Sequence, residues 1–130
     1  MALVAEVVVM ANKAKRNGLL SLVQEAEETS HFLLRKGLQL VLEGVNPQMV
    51  EATLKYYILS GNYLGKELLQ RCIIAEGVLA IQNGVNPTII KELLLSLFSE
   101  ANYKVYEREY GDGKTDRLKA FPKITCPHFR

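Results

Sequence analysis

At 130 residues, 48% of them apolar, the chain has enough material for one hydrophobic core and too much apolar character for wholesale disorder. Its 16 basic and 14 acidic residues nearly balance at +2, and it has no tryptophan and no aromatic-basic interleaving, so nucleic acid is a poor fit. Two cysteines, Cys72 and Cys126, cannot make the dense disulfide framework of a small secreted domain.

From the N-terminus, Met1 to Met10 is apolar but contains Glu6, lacks a basic leader and offers no convincing cleavage site. It is expected to be helix rather than signal peptide. Leu3, Val7, Met10 and Ala14 recur at helical spacing, although the β-branched run Val7-Val8-Val9 also suits a strand. Gly18 should break or kink this first segment. Leu19, Leu22, Val23 and Ala26 then resume an amphipathic pattern as far as Glu28. Thr29-Ser30 is expected to stop that helix and to cap the next one.

The string Gly-Val-Asn-Pro occurs twice, at Gly44 to Pro47 and Gly84 to Pro87, forty residues apart. At the same offset Gly37 falls on Gly77, Leu38 on Val78, Val41 on Ile81, Val50 on Ile90 and Leu54 on Leu94. Such a repeat predicts one helix-turn-helix unit used twice, from His31 to about Ser60 and from Lys66 to about Phe98. Gly44 and Gly84 suit the position just past a helix, where the backbone turns left-handed. Asn46 and Asn86 then cap the following helix, and Pro47 and Pro87 take its first position, where a missing N–H costs nothing. The buried face should comprise Leu34, Leu38, Val41 and Leu42 against Val50, Leu54 and Ile58. In the second unit, Ile74, Val78, Ile81 and Val85 should face Ile90, Leu93, Leu94 and Leu97. At ~1.5–3 kcal/mol for each buried aliphatic side chain, a dozen of them can hold a bundle. Gly37 and Gly77 lie inside helices, each costing about 1 kcal/mol relative to alanine. Their shared repeat position favours a close helix-helix approach.

These features predict an all-α protein: a compact bundle of about four to five helices built from two helix-turn-helix units, with an irregular C-terminal tail. The helical domain is expected over 1–98 and the tail over 99–130. In the tail, Asn102 to Tyr110 either extends the preceding helix or, from Lys104 to Glu109, alternates as a strand. Gly111-Asp112-Gly113 is a turn signal, and Pro122 and Pro127 suit irregular chain.

Signs of an enzyme site are absent. No phosphate-cradling glycine loop, nucleophile elbow or His-Glu-x-x-His string occurs. Cys126-Pro127-His128 has metal-ligand residue types but supplies too few ligands for a tetrahedral site. Glu43, Glu51, Glu76 and Glu92 fit solvated helix faces. The expectation is therefore a non-enzyme with neither cofactor nor metal. No apolar run approaches the ~20 residues that span a bilayer, which predicts a soluble chain.

Two stretches resemble the cytoplasmic parts of the flagellar stator A-subunit family, MotA, within the wider group that includes TolQ and ExbB. The first is Ala14-Lys15-Arg16-Asn17-Gly18-Leu19-Leu20-Ser21-Leu22, continued by Phe32-Leu33-Leu34-Arg35-Lys36-Gly37-Leu38-Gln39-Leu40-Val41 and Gly44. It is similar to the loop between the second and third membrane helices of that family. The second is Ile73-Ile74-Ala75-Glu76-Gly77-Val78-Leu79-Ala80-Ile81-Gln82-Asn83-Gly84, then Asn86-Pro87 and Leu93-Leu94-Leu95-Ser96-Leu97-Phe98. It is similar to the segment that follows the fourth membrane helix. Together they cover most of residues 3–98. The family places a pair of membrane helices between them, whereas here only Glu51 to Gln70 intervenes, with Ser60 to Gly65 in place of the hairpin.

The resemblance implies a torque-transmitting cytoplasmic domain of an ion-driven stator, at the cytoplasmic face of the bacterial inner membrane. Its implied partners are the rotor protein FliG, a MotB-like B-subunit and, in the full-length complex, other A-subunits. Rotor contact in the family uses a basic residue before Gly-Leu-Leu, matched here by Lys15 with Arg16 adjacent. It also uses a glutamate directly after the Gly-Leu-Leu-x-Leu string, where this chain has Val23. Glu25 fills that role only after a shift of two residues, over half a turn of helix. Two other readings stand beside this one: a stand-alone helical-repeat module that binds a protein partner, and a TolQ- or ExbB-like energy-transducing homologue.

Overall fold

A computed structural model describes residues 2–98. The expectations for the tail, including the helix extension from Asn102 to Tyr110 and the Cys126-Pro127-His128 string, lie outside the described residues. Within them the chain is all-helical, with no strand: α1 (Ala2–Asn17), a single 3-10 turn (Leu19–Leu22), α2 (Val23–Glu28), α3 (Phe32–Leu42), α4 (Pro47–Ser60), α5 (Gly65–Gln82) and α6 (Pro87–Leu95). The Val7-Val8-Val9 run is helical. Leu3, Val4, Val7, Met10 and Ala11 are buried while Val9 stays 66% exposed, a period of 3.6 rather than 2. The first segment breaks at Gly18, as its glycine suggested.

Both Gly-Val-Asn-Pro turns form as their residues dictate. Gly44 and Gly84 have φ of 81° and 71°, a region that costs a side-chain-bearing residue strain. In the first turn the Val45 N–H donates to the Leu40 carbonyl (3.1 Å) and the Gly44 N–H to that of Val41 (3.0 Å). The second repeats the pattern, from Val85 to Ala80 (3.0 Å) and from Gly84 to Ile81 (3.1 Å). This is the paired closure of a Schellman motif, which satisfies two of the orphan carbonyls at the end of each of α3 and α5. Asn46 Oδ1 then accepts from the Met49 N–H and Asn86 Oδ1 from the Thr88 N–H, each at 2.9 Å.

Three local expectations need correction. The cap of α3 is His31, not Ser30, and no side chain caps it. Thr29 ends α2, and its hydroxyl takes the His31 N–H (3.2 Å), so the local polar group closes the turn rather than opening the helix. Leu93, assigned to the core, is 41% exposed, because α6 turns Ile90, Leu94 and Leu95 inward instead. Leu42 and Val85 are only partly buried against the core edge.

The two hairpins are not equivalent. α5 buries Leu69, Cys72, Ile73, Ile74, Ala75, Gly77, Val78, Ala80 and Ile81, which leaves no wide polar face. It is the central helix, with α1, α3, α4 and α6 all packed against it. Both interior glycines lie at these crossings. A Cβ on Gly37 would sit 3.1 Å from Val78 Cγ2, and one on Gly77 would sit 2.7 Å from Val7 Cγ1. The close-approach reading therefore holds at α3–α5 and α1–α5. Among the described residues the core contains no buried polar or charged side chain.

Candidate functional site

Because α3, α4 and α5 alternate in direction, the bundle has two distinct ends. At one end lie the two capped turns. Gln82, in the last turn of α5, donates from Nε2 to the Val45 carbonyl at 2.6 Å and so ties the second turn to the first. α1 runs parallel to α5, since Val7 meets Gly77 while Ala14 and Lys15 reach the level of Ile81 and Gln82. The C-terminus of α1 therefore arrives beside the turns.

Lys15 and Arg16 occupy the last turn of α1, where a cation is favoured by the helix dipole. Both are exposed. Lys15 shares a groove of about 380 Å³ with Gly18, Gln82, Gly84 and Asn86. The structure thus brings Lys15 next to the second of the repeated turns, an adjacency that linear spacing does not reveal. Gly44, Asn46 and Pro47 serve the neighbouring turn, and Gly84, Asn86 and Pro87 the nearer one.

Glu25 is engaged inside the chain. Lys13 Nζ lies 2.8 Å from Glu25 Oε2, with about 30% of each side chain accessible (31% and 30%). This pair bridges α1 and α2 across the Gly18 break. The hydrogen bond from Lys13 holds the Glu25 carboxyl below its ordinary value, against the opposing effect of desolvation. A carboxyl depressed in the folded state stabilises it above the unfolded pKa and loses that contribution as pH falls through the folded pKa. The stability gap between wild type and Glu25→Gln should therefore be full near neutrality and close as pH falls from 4.5 through the lowered folded value. Urea unfolding at a series of pH values measures this, and a gap that stays constant with pH would show that the pair contributes nothing.

The opposite end gathers the start of α3, the end of α4, the linker 61–64 and the first turns of α5. Phe32 and Tyr57 meet edge to face, with ring centroids 5.3 Å apart and planes at 82°. The Lys36 ammonium stands 5.9 Å from the Phe32 ring, and the Arg71 guanidinium 4.0 Å from the Tyr63 ring. The Tyr63 ring lies against Gly61 so closely that a Cβ there would have no room. Between these elements opens a cavity of about 280 Å³. Sequence reading missed it because its walls come from separate elements; the one signal was a set of tyrosines, Tyr56, Tyr57 and Tyr63, around a polar linker.

Among the described residues no group of three or more His, Cys, Asp and Glu side chains is placed to hold a metal ion. Nor is any helix there long and apolar enough to cross a membrane. Compared with protein-family models and with curated proteins, the chain finds no match in either.

Proposed function

We propose that the chain is the cytoplasmic, torque-transmitting portion of a MotA-type stator subunit, which offers the basic end of α1 to the rotor protein FliG. One observation carries the reading. The two strings that resemble the family pack as one core, and the short linker that stands for the membrane hairpin sits at the end away from Lys15 and Arg16. In that linker Gly61, Asn62 and Leu64 are exposed, so an insertion there need not disturb the core. Lys15 and Arg16 stay accessible, as a rotor contact requires.

Exposed charge pairs contribute only ~0.2–1 kcal/mol each, which suits contacts that form and break at every step. With Glu25 bound to Lys13, the surface offered is basic, and its counterpart on the rotor would be acidic. Lys15→Glu and Arg16→Glu should each weaken binding to a FliG fragment by up to about fivefold. The combined variant should impair motility when carried in the full-length subunit. Lys36→Glu, at the far end, should leave both unchanged. If the double reversal binds FliG and supports swimming like wild type, this surface is not a rotor contact.

A further inference from the structure

We propose that the cavity between α3, α4 and α5 is a binding site for a small organic monocarboxylate with an aromatic or branched apolar body. The cavity is at the opposite end of the bundle from Lys15, so the proposal stands or falls independently of the rotor reading.

The charge of the site fixes the sign of the ligand. Arg71 is the single formal charge on the cavity wall, and no carboxylate lines it. Among the described residues Arg71 pairs with no acid; its one hydrogen bond, to the Glu67 carbonyl, is long at 3.4 Å. Its guanidinium is held in place by the Tyr63 ring, itself lodged against Gly61. A planar cation held over an aromatic ring, with only one weak hydrogen bond among its donors, is arranged to meet a carboxylate through two parallel N–H···O bonds.

The remaining wall fixes the body of the ligand. Leu33, Ile58 and Ile74 are buried core residues that form an apolar floor. Phe32, 57% exposed, adds a large apolar ring to the wall. Gln70 and Tyr57 add polar side chains to the wall, and among the described residues neither the Gln70 amide nor the Tyr57 hydroxyl is hydrogen-bonded. A cavity of about 280 Å³, apolar beneath with a few convergent polar groups, falls just below the ~300–1,000 Å³ range of small-molecule pockets and so suits a small ligand. One cation and one apolar floor suit a monoanion with a hydrocarbon body better than a bare, strongly hydrated phosphate.

The test is an NMR titration of the full chain with 3-phenylpropionate, 3-phenylpropionamide and inorganic phosphate. The acid should shift the amides of His31, Leu33, Ile58 and Ile74. The amide and phosphate should each bind about tenfold more weakly or worse, as expected on losing a charged hydrogen bond or the apolar contact. Arg71→Met should abolish the preference for acid over amide, and Tyr57→Phe should weaken the acid while leaving thermal unfolding in place. Three results would each overturn the proposal: equal binding of acid and amide, phosphate binding as tight as the acid, or no shift at about 10 mM acid, tenfold above a millimolar Kd.

Discussion

Gly77→Leu should destabilise the protein by about 3 kcal/mol or more, and even Gly77→Ala should be a loss. On helix propensity alone alanine would gain about 1 kcal/mol at this position. The neighbour decides otherwise. The new Cβ would lie 2.7 Å from Val7 Cγ1, and Val7 is itself 1% exposed. A valine in a helix has one strongly preferred rotamer, so its methyl cannot swing away cheaply. Relief must come from α1 moving off α5, which opens contacts along the whole crossing. Gly37 is the milder site: its Cβ would stand 3.1 and 3.2 Å from the Val78 methyls, a gap that a shift of a few tenths of an ångström restores. Gly37→Ala should therefore stay within about 1 kcal/mol of wild type, whereas Gly37→Leu should be clearly destabilised. Thermal unfolding of the four variants checks the order, at roughly 4–8 °C of Tm per kcal/mol for a domain of this size. A Gly77→Ala protein more stable than wild type would refute the close crossing.

The parts of the fold that could be read in the sequence are those fixed by local chemistry. Gly44 and Gly84, with Asn46, Asn86, Pro47 and Pro87, each carry their own conformational instruction, so both turns form as the strings imply. The break at Gly18 is of the same kind. What the sequence did not show is which element covers which face. Leu93 has the spacing of a core residue, yet Ile90 and Leu94 already fill the side of α6 that meets the bundle. The central place of α5 is likewise a property of its four neighbours, since an apolar residue does not name its partner.

The candidate sites divide in the same way. Lys15 and Arg16 stood out as a basic pair, but their nearness to Gly84 and Asn86 depends on α1 lying parallel to α5. Glu25 drew notice for a role outside the chain. Its partner Lys13 is twelve residues away across a helix break, beyond the reach of the three- and four-residue spacing that reveals helical ion pairs. The cavity beside Arg71 has no linear signature beyond the tyrosines around the linker, because Phe32, Tyr57, Tyr63 and Arg71 line one cavity only once α3, α4 and α5 have packed.

Leu54→Ala should cost about 2–5 kcal/mol, the range for a fully enclosed leucine whose surroundings relax only in part. Leu54 is 0% exposed and is the middle of just three buried residues on α4, with Val50 and Ile58 on either side. The main neighbours of α4 are α3 and α5, while α1 and α6 pack together and on α5 without it. Losing its central anchor should therefore loosen α4 before the rest of the bundle. Hydrogen exchange should show protection falling most over 47–60 and least over α1 and the second half of α5. A loss below about 1 kcal/mol would mean that α4 is not held by this side chain. Uniform loss of protection would instead make the bundle one cooperative unit. The distinction bears on function, because Lys15 and Arg16 sit on the block made by α1, α5 and α6. If α4 loosens separately, Leu54→Ala should still present that basic surface below its melting temperature and should bind a FliG fragment like wild type. The cavity by Arg71, which takes Tyr57 and Ile58 from α4, should lose its ligand. One substitution would then separate the two ends of the molecule by their dependence on a single helix.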